Sequence, residues 1–441
     1  MIPNILTIGE PGSGKSVGTA SAALAFPGAR LVLDPHKDSL ALLVLEHAEG
    51  EILFDRISDL DHSLGYGLLG ASTQGDANKR LQENRRRAKL FVEVMMRRRG
   101  GDIAGSPLMD EWIMALLMLY LYQECRNGQT QKDPGIIPHG FMPDTPPFDS
   151  LLRDCALPDL RLKFGQLVGL KPKALRSEVG SAARLVNGVF GDPSFLLRCR
   201  SGFDLGAFLQ NKGTLIVERG DADEDVTRTI MGGINMIVTD HCENRPMPYP
   251  PVAMILDECT NARTAGPFEE KKAGETRKVG LHWWFICQHP NFPGGPDGYF
   301  QNCQEKHFYR TGDHALARKL AGFVVGAMRR GEKSRAELTD EVVADLMTFA
   351  PGWRYVVGPN GSRKEYVPLL KNPWPDWPGL REAKLEEKLC RIHARPEYGV
   401  HCTTSDTTSC EGTQPPPPNS PSGSSAAQRW KSGGRKPAGG S

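Results

Sequence analysis

The chain has 441 residues, 39% hydrophobic and 24% charged, enough for one large domain with insertions or for two smaller ones with a buried core. Lys and Arg number 54 against 52 Asp and Glu, a formal charge of +2. Residues 403–441 supply that excess, holding Arg429, Lys431, Arg435 and Lys436 against Asp406 and Glu411. This balance excludes a histone-like protein that holds nucleic acid by bulk charge; any such binding must use a local patch.

No basic leader with a cleavage site follows Met1, and the longest strongly apolar run, 112–122, is too short to cross a bilayer. A cytoplasmic protein is expected, at most peripheral at the inner face of a membrane. The ten cysteines are scattered with no CxxC pair, which points to free thiols in a reducing cytosol. Cys390, His393, His401 and Cys402 match no ordinary zinc-finger spacing, and a metal is not expected there.

In chain order, β-rich runs at 2–8, 30–33 and 51–54 alternate with a helix at 16–25, which predicts a parallel α/β sheet. From 76 to 204 the pattern is mostly helical: 76–99, 106–123 (Pro107 fitting the first turn) and 173–190 read as helices. The five prolines of 134–147 predict a loop. From Gly213 the alternation returns, with strands at 214–217, 252–256, 282–286 and 306–309 and a helix at 225–242. A closing hairpin is predicted from 354–357 and 365–368 across the turn 358–361. The Ser-, Thr-, Pro- and Gly-rich stretch 403–441 predicts a disordered tail. The expected organisation is an α/β core in two parts, 1–75 and 205–370, interrupted by a helical insertion at 76–204 and followed by an extension at 371–402 and the tail.

The strongest chemical signal is Gly9-Glu10-Pro11-Gly12-Ser13-Gly14-Lys15-Ser16, which fits G-x-x-x-x-G-K-[ST] between an apolar strand and a helix of small residues. The glycines let backbone N–H groups curl around phosphates, Lys15 reaches the β/γ oxygens, and the Ser16 hydroxyl suits Mg²⁺. Residues 9–16 with Val17 are the expected cradle for ATP. A second run, 251–256, is apolar and ends in Asp257-Glu258. At the carboxyl end of a buried strand, Asp257 is placed to hold Mg²⁺ through its water shell and Glu258 to orient or deprotonate the attacking water. A third strand ends in Gln288, placed to sense the γ-phosphate or to position water, and is preceded by Arg277, a candidate arginine finger acting across a subunit boundary. Arg310, after the next strand, is the substitute for that role. Trp283 and Trp284 lie within the third strand and are expected to pack in the core.

The order of these parts, with the second strand ending Asp34-Pro35-His36-Lys37-Asp38, a helical insertion, then Phe203-Asp204-Leu205, the Asp257-Glu258 strand, Arg277 and Gln288, resembles the motor domain of type IV secretion coupling proteins, the TraG/TraD group, within the FtsK–HerA class. The resemblance covers about residues 2–370. It implies a RecA-like P-loop ATPase core, a homo-hexameric ring and ATP hydrolysis that drives double-stranded DNA through a central channel. It also implies a secretion-channel or relaxase partner. The sequence departs from the family in two places: only eight residues precede Gly9, and His36-Lys37-Asp38 stands where the family more often has a Lys-Gly pair. The basic run 79–99, nine Lys or Arg against Glu83 and Glu93, is a candidate face for DNA phosphates, although Leu90, Phe91, Val94 and Met95 within it must pack on something. Alternatives are a viral genome-packaging ATPase, with a capsid partner, and a nucleotide-switched interaction protein that does not move DNA.

Overall fold

The computed structural model describes residues 2–36, 40–70, 76–96, 107–122, 133–245, 249–260, 267–289, 297–328, 334–371, 373 and 379–398. The expectations for Lys37, Asp38, Cys125, 97–99, His401, Cys402 and 403–441 lie outside them. Among the described residues, nine strands form one sheet: β1 (Ile5–Ile8), β2 (Ala29–Asp34), β3 (Ile52–Arg56), β4 (Thr214–Glu218), β5 (Val252–Leu256), β6 (Leu281–Cys287), β7 (Glu305–Phe308), β8 (Trp353–Gly358) and β9 (Gly361–Tyr366). Their order is β3-β4-β2-β5-β6-β1-β7-β8-β9. Pairing is parallel from β3 to β7 and antiparallel for β8 and β9. The central strands β4, β5 and β6 are buried along their whole length, as continuous apolar runs covered on both faces require. This is the mostly parallel α/β sheet that the alternation of runs predicts, and it agrees with the RecA-like core that the resemblance implies.

The carboxyl ends of the parallel strands all point one way, so the loops after β1, β5 and β6 share one rim of the sheet. Trp283 and Trp284 are buried within β6, and the Trp283 indole N–H donates to Thr276 Oγ1 at 3.0 Å. The hairpin begins one residue earlier than its apolar pattern suggests, at the partly exposed Trp353.

Between β3 and β4 the chain is helical. Five of the described helices there, Pro107–Leu121, Pro146–Asp154, Pro158–Gly165, Pro172–Phe190 and Pro193–Cys199, open on proline. The fixed φ of proline suits a first turn, where its missing N–H leaves nothing unsatisfied. The same rule corrects the loop expected at 134–147. Pro134–Phe141 is a 3₁₀ helix capped by Asp133, whose carboxylate accepts from the Gly135 N–H at 3.0 Å, and Pro146 starts the next helix. In the helix Ala77–Met96, Phe91, Val94 and Met95 are buried, while Lys79, Arg85 and Lys89 face solvent. Arg86 and Arg87 pair within the molecule, to Glu83 and to Asp240 of the helix Glu224–Asn244.

A buried ion pair ties this helical segment to the sheet. Asp55 on β3 and Arg198 are both fully buried. Arg198 Nε donates to Asp55 Oδ2 at 3.0 Å, its Nη2 donates to Asp55 Oδ1, and its Nη1 and Nη2 reach the carbonyls of Ser194 and Arg56. The Tyr66 hydroxyl donates to Asp55 Oδ2 at 2.7 Å. At the outer edge, Tyr398 Oη accepts the Phe54 N–H at 2.7 Å and donates to the Phe54 carbonyl at 3.0 Å, while Arg395 donates to the Ile52 carbonyl. These contacts occupy backbone groups of β3 that an edge strand would otherwise expose. Arg198→Leu leaves the Asp55 carboxylate buried without its cation, and a loss of about 3–5 kcal/mol is expected. A fall in the urea midpoint at unchanged slope would register it.

Candidate active site

The loop between β1 and the helix Lys15–Leu24 is held from several sides. The Gly9 N–H donates to the Cys287 carbonyl at 3.3 Å and the Glu10 N–H to the Arg310 carbonyl at 2.9 Å. Glu10 grips the same neighbouring segment with its side chain, accepting from Arg310 Nε and, at 2.8 Å, from the Gly312 N–H. The Ser13 carbonyl accepts the Gly352 N–H at 3.0 Å, so the turn before β8 closes on the loop. Gly12 and Gly14 have φ of 75° and 97°, the left-handed region that a side chain strains. A Cβ at Gly14 would also lie 2.7 Å from the Gly352 nitrogen. Such alternation of backbone turns the loop's N–H groups inward as an anion nest.

Lys15 is 6% exposed and its Nζ donates to the Glu10 carbonyl at 3.0 Å, across the mouth of the loop. Burial pushes its ammonium below the ordinary lysine value, while the charges of Glu258 and Asp257 pull the other way. Ser16 follows in the first helical turn, half-buried, with Val17 beside it. The Ser13 hydroxyl is buried with no hydrogen-bond partner. An unsatisfied hydroxyl inside an anion nest fits a phosphate oxygen.

Asp257 and Glu258 leave the end of β5 beside this loop. Burial first, then the charges of Asp34 and Glu258, push the Asp257 carboxyl up to about 8; the Glu258 backbone N–H and Lys15 act in the opposite direction. Glu258 has φ 41°, an uncommon left-handed conformation for a non-glycine residue. Backbone strain of this sort concentrates at functional sites. Gln288, one residue past β6, donates from Nε2 to Glu258 Oε1 at 2.9 Å. Lys15, Asp257, Glu258 and Gln288 therefore meet at one rim of the sheet. The oxygen donors of Ser16 and Asp257 suit Mg²⁺, a hard cation.

Arg277 is placed elsewhere. It sits in the 3₁₀ turn Thr276–Val279 at the amino end of β6, the whole length of that strand from Gln288, roughly 20 Å. Arg310 is at the correct rim but is engaged by Glu10 of the same chain. Three contributors escape a reading of motifs. Asp34, fully buried at the end of β2, acts on Asp257, and its carboxylate accepts the N–H groups of His36 and Ala41. Arg310, singled out in the sequence only as the substitute finger, and Gly352 brace the loop from some 300 residues away, and Asp34 carried a signal as a carboxylate ending a strand.

No protein-family model matches the sequence, and no curated protein matches it. Solved structures do. The plasmid coupling protein TrwB in complex with the non-hydrolysable ATP analogue ADPNP aligns over 84% of this chain and 87% of its own, with a TM-score of 0.58 and 14% identity. TrwB with ADP and Mg²⁺ aligns over the same shares at TM-score 0.57 and 13% identity, and an unbound conjugative TrwB form over 84% and 86% at 0.57 and 13%. The chain has the TrwB fold. Among the described residues, no helix is long and apolar enough to cross a membrane.

The elevated Asp257 carboxyl sets a pH dependence in nucleotide-free protein. Between the ordinary aspartate value and about 8, the folded chain holds a proton that the unfolded chain has released, so folding weakens as pH rises through that window. Asp257→Asn removes this loss. Its stability relative to the unsubstituted protein is expected to grow from about pH 5 to about pH 8, read from melting temperatures across a pH series.

Proposed function

We propose that this protein is an ATP-hydrolysing motor of the coupling-protein kind, which moves double-stranded DNA. The observation that carries the reading is the convergence of Lys15, Asp257, Glu258 and Gln288 on one glycine loop within a TrwB-like fold. In this reading the loop 9–17 binds the triphosphate, and Lys15 exchanges its contact with the Glu10 carbonyl for the β/γ oxygens. Mg²⁺, when bound, neutralises charge that develops on the phosphates; Ser16 and Asp257 are the residues that would hold it. To hold the cation, Asp257 would have to give up the proton that its burial favours. Glu258 accepts a proton from the attacking water, held in orientation by the Gln288 amide.

Arg277 cannot reach the site of its own chain, so its role as a finger requires a neighbouring subunit, as in a homo-hexameric ring. Arg310 serves to lock Glu10 and the loop. The exposed Lys79, Arg85 and Lys89 support DNA contact by the helix Ala77–Met96, with Arg86 and Arg87 held back as structural pairs. Secretion-channel or relaxase partners follow from the coupling-protein reading, and a place in the cytoplasm, peripheral to the membrane, goes with it.

Lys15→Ala is expected to abolish ATP turnover, and Glu258→Gln to bind ATP while hydrolysing it at least 100-fold more slowly. Equilibrium nucleotide binding and steady-state phosphate release, each with and without duplex DNA, separate the readings. Turnover stimulated by duplex DNA supports a motor; turnover indifferent to DNA favours a nucleotide-switched interaction protein. Arg277→Ala should keep ATP binding and lose DNA-stimulated turnover. Unchanged turnover in that variant removes Arg277 from the mechanism.

A further inference from the structure

Across five strands from β1, roughly 24 Å away at the outer edge of the sheet, a second group of side chains meets. Asp59 and His62 come from the turn after β3, and His393 is the last residue of the helix Leu380–His393. One ligand atom from each lies within 4.8 Å of the other two. Asp59 Oδ1 accepts the N–H groups of Asp61 and His62 at 3.0 and 3.1 Å, which fixes the carboxylate on its turn. Asp59 Oδ2 lies 3.0 Å from His62 Nδ1. The two imidazoles stack at 4.1 Å with planes 10° apart.

His393 supplies the independent observation. Its Nε2 is buried and has no hydrogen-bond partner. That nitrogen belongs to the ring stacked on His62, and it has the capacity to bind a proton or a cation. A buried ring nitrogen left without a partner carries a cost that a bound cation would relieve.

We propose that Asp59, His62 and His393 form a binding site for a divalent transition metal of the zinc class, with water completing the coordination. Two imidazoles and one carboxylate match the donor preference of Zn²⁺ and offer too few oxygens for Ca²⁺ or Mg²⁺. Binding turns the rings out of their stack until both lone pairs converge at about 2.0–2.1 Å from one ion. The ion would brace the helix Leu380–His393 against the end of β3, far from the nucleotide loop.

Calorimetric titration of the full chain with zinc, free of nucleotide and chelator, tests this. One saturable site is expected, with affinity reduced more than roughly tenfold in His62→Ala and in His393→Ala and retained in Cys390→Ser. Cobalt in place of zinc should give visible d–d absorption without a thiolate charge-transfer band. Absence of a saturable site overturns the proposal, as does binding that survives His62→Ala or a thiolate band that vanishes with Cys390→Ser. Should His393→Ala fail to fold, His62→Ala decides, since His62 lies on a turn outside the packed helix; its melting temperature without zinc should match that of the unsubstituted protein.

Discussion

The site is organised by one buried cation facing several buried carboxylates. Lys15 cannot leave the sheet rim, because the loop that carries it is tied to the chain segments after β6, β7 and before β8. Asp34, Asp257 and Glu258 cannot leave either, because they are buried side chains at the ends of two neighbouring strands of the sheet interior. Burial above all, and then repulsion from Asp34 and Glu258 that a single lysine does not offset, hold the proton on Asp257. An excess of negative charge beside an anion nest is a poor resting arrangement and a good receptor for a cation and a phosphate arriving together. The strained backbone of Glu258 belongs to the same compromise, since it turns this carboxylate toward Gln288.

Much of this was legible in the sequence because its signals are local. The nucleotide loop, the Asp257-Glu258 pair and Gln288 each end an apolar run, and parallel strands bring such ends to one rim. The sequence placed Arg277 before the third strand and Gln288 at its end without giving the distance between them. Position along a strand becomes distance only when the strand limits are known, and Leu281–Cys287 takes up seven of the ten residues between the two. The bonds of Glu10 to Arg310 and Gly312, and of Ser13 to Gly352, join residues hundreds of positions apart with no periodic pattern to announce them. Proline density misled at 134–147 because proline both breaks helices and begins them. The helix His314–Ala327 is a different case: Leu316, Leu320 and Val324 repeat at helical spacing, a period that a motif-led reading does not use.

The helical segment and the sheet are joined by contacts that resist rotation. Asp55 and Arg198 form a fork-to-fork pair with Tyr66 on the same carboxylate, all away from water. Pairs of this geometry specify one orientation more than they add net stability. A shift of β3 would therefore carry the helices around Arg198 with it.

The contacts of Tyr398 and Arg395 with β3 have a consequence for shortened forms of the chain. A protein ending before Leu380 would keep its glycine loop and every strand, and would bare the Phe54 N–H and C=O and the Ile52 carbonyl along one side of the sheet. A bare strand edge recruits other strands, including those of identical molecules. The failure of such a truncation would appear as self-association into insoluble material, with the chemistry of the loop intact in whatever stayed dissolved.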